Sequence, residues 1–191
     1  KGHSFHRVLM RSAAKLSYSQ AQSAIDGQPD EKTGPIRESV LMPLWAAYGV
    51  AARARDQRQP LDLDLPERKL ILKPDGAVER VIVPERLAAH RLIEEFMILA
   101  NVAAAETLEK AGSLLIYRCH DEPSLEKMRA LGEVLASIGI KLPKDGALRP
   151  VLFNRILATI KGSENETLIN EVVLRTQAQA EYVAENYGHF G

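Results

Sequence analysis

Three groups of residues in this chain have the types and spacing that chemistry needs. Asp62 and Asp64 stand two apart in Leu61-Asp62-Leu63-Asp64-Leu65. In a strand that spacing puts both carboxylates on one face, and converging carboxylates hold Mg²⁺. The same alternation is also what the polar edge of an ordinary half-buried strand looks like, and that plainer reading is favoured. The second group is His90, Glu94 and Asn101, which fall in one narrow sector of a helix together with Ile93, Met97, Ala105 and Leu108. Polar groups set among apolar ones need partners. The partner is either a ligand or the group itself, since His90 and Glu94 are at i,i+4 spacing. Arg91, Glu95, Glu106 and Glu109 map to the solvated face of the same helix. The third group is Cys119 and His120. A thiol beside an imidazole suggests a nucleophile and its base, but neighbours in a strand point to opposite faces. A buried Cys119 and a hydrogen-bonded His120 are therefore expected. The chain has no G-x-G-x-x-G, no P-loop and no G-x-S-x-G, so phosphate-cradling loops and a nucleophile elbow are absent.

The elements that must position these residues alternate short strands with long helices. Residues 5–11 alternate and read as a basic strand; residues 1–15 hold Lys1, Arg7, Arg11 and Lys15 with no acid. Ser17 and Gln20 have capping-box spacing, which predicts a helix from there to about Asp26, ended by Gly27. Residues 28–35 read as a loop. A second helix is expected from about Glu38 to Gln57, with Pro43 in its first regular turn. Residues 61–65 read as a strand. Pro74-Asp75-Gly76 predicts a hairpin between Lys69–Lys73 and Val78–Val83. A long helix follows over 85–111, then a strand over Leu114–Arg118. Pro123–Ile138 reads as a helix that ends at Gly139, with further helices at about 149–161 and 164–180. Residues 181–191 read as irregular. The fold class is α+β, a helix-rich mixed domain with short strands and a β-hairpin.

Composition bounds what such a chain can be. Its 191 residues are 46% hydrophobic and 26% charged, the balance of a globular domain. Lys+Arg and Asp+Glu are 25 each, so total charge does not mark a nucleic-acid binder, though phosphates respond to local charge. One cysteine excludes an internal disulfide and a cysteine-based zinc site, and suits a reducing compartment. No apolar run is long enough to form a membrane span. The chain starts at Lys1 and stops at Gly191 without a polar tail, which reads as an internal piece of a longer protein.

Four segments, in order, carry a resemblance. His90-Arg-Leu-Ile-Glu-Glu-Phe-Met-Ile-Leu-Ala-Asn101 with the following Val-Ala-Ala-Ala is similar to the long helix of the catalytic (RNB) domain of the ribonuclease R and ribonuclease II family. Met10-Arg-Ser-Ala-Ala-Lys-Leu-Ser-Tyr18 resembles that domain's basic strand and tyrosine. Tyr117-Arg-Cys-His-Asp-Glu-Pro123 resembles its Tyr-Arg-x-His segment. Leu174-Arg175 through Glu185-Asn186-Tyr187-Gly188-His189-Phe190-Gly191 resembles the stretch leading to its arginine motif.

The resemblance implies a processive, Mg²⁺-dependent hydrolytic exoribonuclease that degrades single-stranded RNA from its 3′ end in the cytoplasm. It implies that residues 1–191 are part of one RNB-type catalytic domain, with the acidic metal-binding motif upstream and the arginine motif downstream of them. Mg²⁺ is then expected in the parent enzyme and not on this piece, which supplies RNA channel and base clamp and no catalytic or metal residue. Tyr18 matches an aromatic residue packing near the terminal nucleotide, Phe153 the aromatic residue clamping the last base from the other side, and Glu185 an acid touching a base near the cleavage site. Stacking suits this role because it binds any base. From the residues alone, Phe153 would be read as core packing and Glu185 as an exposed loop acid. Ala178 and Ala184 depart from the family's frequent Lys and Pro. The alternatives are a non-catalytic RNA-binding relative and a structural helical interaction module.

Overall fold

The computed structural model describes residues 2–63, 65, 67–142 and 149–190. The chain forms two compact units: residues 1–57 with 85–113, and residues 58–84 with 114–191.

The first unit begins with an exposed segment, residues 2–16, that has no regular secondary structure. The expected strand over 5–11 is not there: alternation alone does not make a strand when no neighbouring strand takes up its backbone groups. Helix α1 (Tyr18–Ile25) follows, with the expected capping box: Gln20 N–H donates to Ser17 Oγ and Ser17 N–H donates to Gln20 Oε1. Gly27, at φ 93°, ends the run in the left-handed region that favours glycine. Part of the loop expected over 28–35 is instead a short helix α2 (Gly34–Ile36), continued by a π-helical turn, Arg37–Leu41, into α3 (Met42–Arg58). The wide turn sits just ahead of Pro43, whose ring and missing N–H disfavour an ordinary interior turn.

Helix α4 (Ala88–Lys110) completes this unit. Two of its orphan N-terminal groups find side chains: Leu87 N–H donates to His90 Nδ1, and Ala89 N–H donates to Gln22 Oε1 of α1. The buried apolar residues of the unit are Ala24, Leu41, Ala89 and Leu92.

The second unit opens with Leu61 and Leu63, packed against its core. Residues 61–63 are not a strand. Asn154 takes over the role a partner strand would play, accepting from Asp62 N–H at 3.0 Å and donating to Pro60 O at 2.8 Å. Asp64 lies outside the described residues, so the Asp62/Asp64 pair is not described. The hairpin is as expected: β1 (Lys69–Leu72) pairs antiparallel with β2 (Val78–Ile82), with Leu70 opposite Val81 and Leu72 opposite Val78. Gly76, at φ 85°, closes the turn.

Strand β3 (Tyr117–Cys119) leads to α5 (Leu125–Ser137), which Ser124 caps and Gly139 terminates. Helices α6 (Pro150–Ile160) and α7 (Glu166–Thr176) follow. One core joins the three helices: Leu131 and Leu135 from α5, Phe153 and Ile156 from α6, Ile169 and Val173 from α7. The segment read as irregular contains a strand, β4 (Glu181–Val183), antiparallel to β3 with Cys119 opposite Glu181. Beyond it, His120 N–H donates to Gly188 O and Phe190 N–H donates to His120 O, which lays Phe190 against the core.

Candidate functional site

In the first unit, two helix starts bring one aromatic pair together. Tyr18 is the first residue of α1 and His90 the third of α4. Their rings stack with centroids 4.0 Å apart and planes at 27°. The Ser17–Gln20 box fixes one helix start. The hydrogen bond from Leu87 N–H to His90 Nδ1 at 3.1 Å orients the second ring. Tyr18 remains 44% exposed. The exposed segment before it carries Arg7, Arg11 and Lys15, whose side chains are exposed. The start of this segment is held to the end of α4: His3 Nε2 and Thr107 Oγ1 are 2.9 Å apart, and His3 lies 3.9 Å from Glu106. An exposed ring beside cationic side chains is a combination found in proteins that hold single-stranded nucleic acid.

Next to the stack lies a charge network. Arg55 of α3 donates to Glu95 Oε1 at 2.6 Å and to Glu94 Oε1 at 3.2 Å, and Arg86 pairs with Glu94. Burial works against the Arg55 charge, but the hydrogen bond to Glu95 and the fields of both carboxylates outweigh it and raise its pKa. The helical phase argument is corrected here. Glu95, assigned to solvent, is 3% exposed, because Arg55 reaches in to pair with it. Asn101, grouped with His90 and Glu94, is exposed, while those two are half-buried. No local signal marks Glu95 as buried, because its cation lies forty positions earlier in the chain.

Of the residues carried over by resemblance, Tyr18 belongs to the first unit, and Phe153 and Glu185 to the second. Phe153 is 0% exposed and meets Phe190 edge-on, with centroids 6.2 Å apart. A ring with no exposed surface presents no face to a base, so the clamp role expected for it is corrected to core packing. The cause is α6 itself, whose Phe153, Ile156, Leu157 and Ile160 form one buried face. Glu185 is exposed, and its backbone carbonyl accepts from the Cys119 thiol at 3.5 Å. Cys119 is 1% exposed and His120 Nε2 lies 2.9 Å from Ala178 O. A buried thiol and a hydrogen-bonded imidazole are what strand geometry implied, and they do not form a nucleophile–base pair. Among the described residues, no three His, Cys, Asp or Glu come together as a metal site, and no helix is long and apolar enough to cross a membrane.

Comparisons with known proteins give this geometry a context. Residues 1–191 match the RNB domain family along the whole chain. Ribonuclease R of Aquifex aeolicus is 35% identical over 192 residues, covering 100% of this chain and 27% of that protein. Ribonuclease R of Escherichia coli is 34% identical, again over 100% of this chain and 24% of the relative. The chain thus spans about a quarter of the length of these curated relatives. Among solved structures, Mycoplasma genitalium RNase R in complex with ribose methylated single-stranded RNA superposes with a TM-score of 0.81 at 21% identity, over 92% of this chain and 28% of that one. The same protein in complex with double-stranded RNA gives the same score. The α+β fold read from the sequence is the fold of these structures, and the chain belongs to the RNB domain family.

Proposed function

We propose that this chain is part of a processive 3′-to-5′ hydrolytic exoribonuclease acting on single-stranded RNA in the cytoplasm, and that its share of the work is to hold the strand. Tyr18 stacks on a base with the ring face that His90 leaves open, and Arg7, Arg11 and Lys15 follow the phosphates. Glu185 contributes a contact to a base near the reaction centre. Phe153 supports the core beneath that region. The observation that carries this reading is the Tyr18–His90 stack at the end of an exposed, acid-free basic segment, in a chain of the RNB family.

Hydrolysis in the parent is proposed to need Mg²⁺. The described residues do not fit that ion, because no three potential ligands converge among them and Mg²⁺ needs near-octahedral oxygen ligands. By the family resemblance, residues 1–191 are assigned to one part of a catalytic domain. The metal-binding carboxylates and the arginine motif are assigned to other parts of the parent.

Binding of a labelled single-stranded RNA across a salt series tests the reading. Affinity should fall linearly with log salt. Tyr18→Ala should weaken it by about 1–3 kcal/mol while leaving the melting temperature nearly unchanged. Salt-independent binding, or binding indifferent to Tyr18, would overturn the assignment. Incubation with Mg²⁺ or Mn²⁺ should leave the RNA intact; progressive shortening from the 3′ end would place the metal site within this chain instead.

A further inference from the structure

The second unit contains a cavity of about 560 Å³ beside the end of α7. Its apolar part is formed by Leu61, Leu63 and Leu174. Arg118, Lys127 and Arg175 bring permanent positive charge to it, and none of the described residues that line it is acidic. That is a strong local bias in a chain whose Lys+Arg and Asp+Glu are equal at 25 each. The acids Asp121, Glu122 and Glu181 line an adjoining cavity of about 270 Å³ that shares Lys127, Ala178 and Gln179 with the first.

Two buried polar atoms of the larger cavity's lining lack partners. Gln177 is 8% exposed. Its amide N–H donates to Val173 O at 3.1 Å, while its Oε1 has no hydrogen-bond partner. His120 uses Nε2 on Ala178 O, which leaves the buried Nδ1 without one. A buried acceptor without a partner is destabilising. Lys127 Nζ donates to Gln177 O at 2.6 Å, which fixes the ammonium at this cavity and leaves it two further donors.

We propose that this cavity is a nucleotide-binding site that takes a single 5′-phosphorylated nucleotide, distinct from the stacking position at Tyr18. The phosphate pairs with Arg118 and Lys127. The base lies against the leucines. A volume of this size lies within the range of small-molecule sites. The nucleotide is either free, as a released monophosphate would be, or the end of an RNA.

Calorimetric titration of the whole chain with 5′-AMP, 5′-UMP, adenosine, inorganic phosphate and a 5′-phosphorylated RNA pentamer tests this. Both monophosphates should bind with similar affinity, and adenosine and phosphate each roughly tenfold or more weakly, since each lacks half of the contacts. Arg118→Gln and Lys127→Gln should each weaken AMP binding by roughly tenfold. Arg118 is exposed, so Arg118→Gln should leave melting unchanged, whereas Lys127→Gln also gives up the bond to Gln177 O and is read per folded molecule. Tighter binding of AMP than of the pentamer identifies the free nucleotide. A tighter pentamer that loses affinity in Arg118→Gln but not in Tyr18→Ala identifies a strand end. Absence of saturable binding by AMP, UMP and the pentamer would overturn the site, as would binding that the Arg118→Gln Lys127→Gln double variant leaves unchanged. A pentamer whose binding depends on Tyr18 alone, with no monophosphate bound, would overturn it too.

Discussion

The two units of this chain are held together by different means. The second has a continuous apolar core in which three helices bury Leu131, Leu135, Phe153, Ile156, Ile169 and Val173. The first fully buries only two alanines and two leucines among its described apolar residues, and polar contacts join its elements: Arg55 with Glu94 and Glu95, Gln22 capping α4, Asp30 and Thr33 closing the loop after α1. Apolar burial is roughly proportional to area and tolerant of angle, whereas hydrogen bonds and ion pairs are specific in geometry. The unit with the small core is thus the one whose shape depends on exact partners. It is also the unit in which Tyr18 and His90 must meet.

The sharpest break in this comparison comes from emptying the larger core. Phe153→Ala should cost about 3–5 kcal/mol, the range for deleting a fully buried ring. Thermal melting followed by circular dichroism reads the loss. RNA affinity per folded molecule should be unchanged. A small melting shift together with weakened RNA binding would mean that the ring does face a base, and would restore the clamp role.

The corresponding change in the first unit is Arg55→Met. It leaves Glu95 buried without its cation, which for a fully buried pair costs about 3–5 kcal/mol. Arg55 keeps 29% of its side chain in solvent, so the expected loss is nearer 2 kcal/mol. Arg55→Met combined with Glu95→Leu should recover most of it, since an apolar pair of similar volume removes the unpaired charge. Additive losses in the double variant would show that the network is not what holds these helices.

Sequence reasoning succeeded in this fold wherever the cause was local. Ser17 with Gln20, Ser124 before α5, Gly139 after it and Pro74-Asp75-Gly76 each fix backbone within a few residues, and each was legible. The losses were non-local. Strand β4 forms because β3 pairs with it across some sixty positions, and no periodicity in Glu181–Val183 announces that. Residues 61–63 alternate like a strand but bond to a single side chain, Asn154. Glu95 looks solvated until Arg55, forty positions earlier, is placed beside it. The site followed the same rule. Tyr18 lay beside a legible helix start, while the fate of Phe153 was decided by which face of α6 the other helices cover. The unpartnered Gln177 Oε1 leaves no trace in the sequence.

Smaller effects test the polar unit without dismantling it. Ser17→Ala removes one half of the capping box and should cost about 1 kcal/mol. Hydrogen exchange should show the loss confined to the first turn of α1. Because Tyr18 is the next residue, the stack on His90 should loosen as well, visible as a change in the Tyr18 ring resonances. An unchanged ring environment would mean that the stack, and not the cap, sets the start of the helix.

The smallest expected effect runs through the same glutamine. Gln20 Nε2 donates to Asp30 Oδ2 at 2.9 Å, while Asp30 Oδ1 accepts from Thr33 Oγ1 at 2.7 Å and from Thr33 N–H at 2.8 Å. The Thr33 hydroxyl, then the Thr33 backbone and the Gln20 amide, lower the Asp30 pKa from 3.8 to about 2. These donors favour the charged carboxylate in the folded state. Its contribution to stability is therefore complete above 3.8 and is lost as pH falls through about 2. Carbon-detected titration of the Asp30 carboxyl should give a midpoint near 2, and Asp30→Asn should abolish that step. Melting curves of the two proteins should differ most above 3.8 and converge towards pH 2. If they instead ran parallel through the whole range, the loop after α1 would be held by Thr33 and its backbone contacts, with the Asp30 charge contributing nothing.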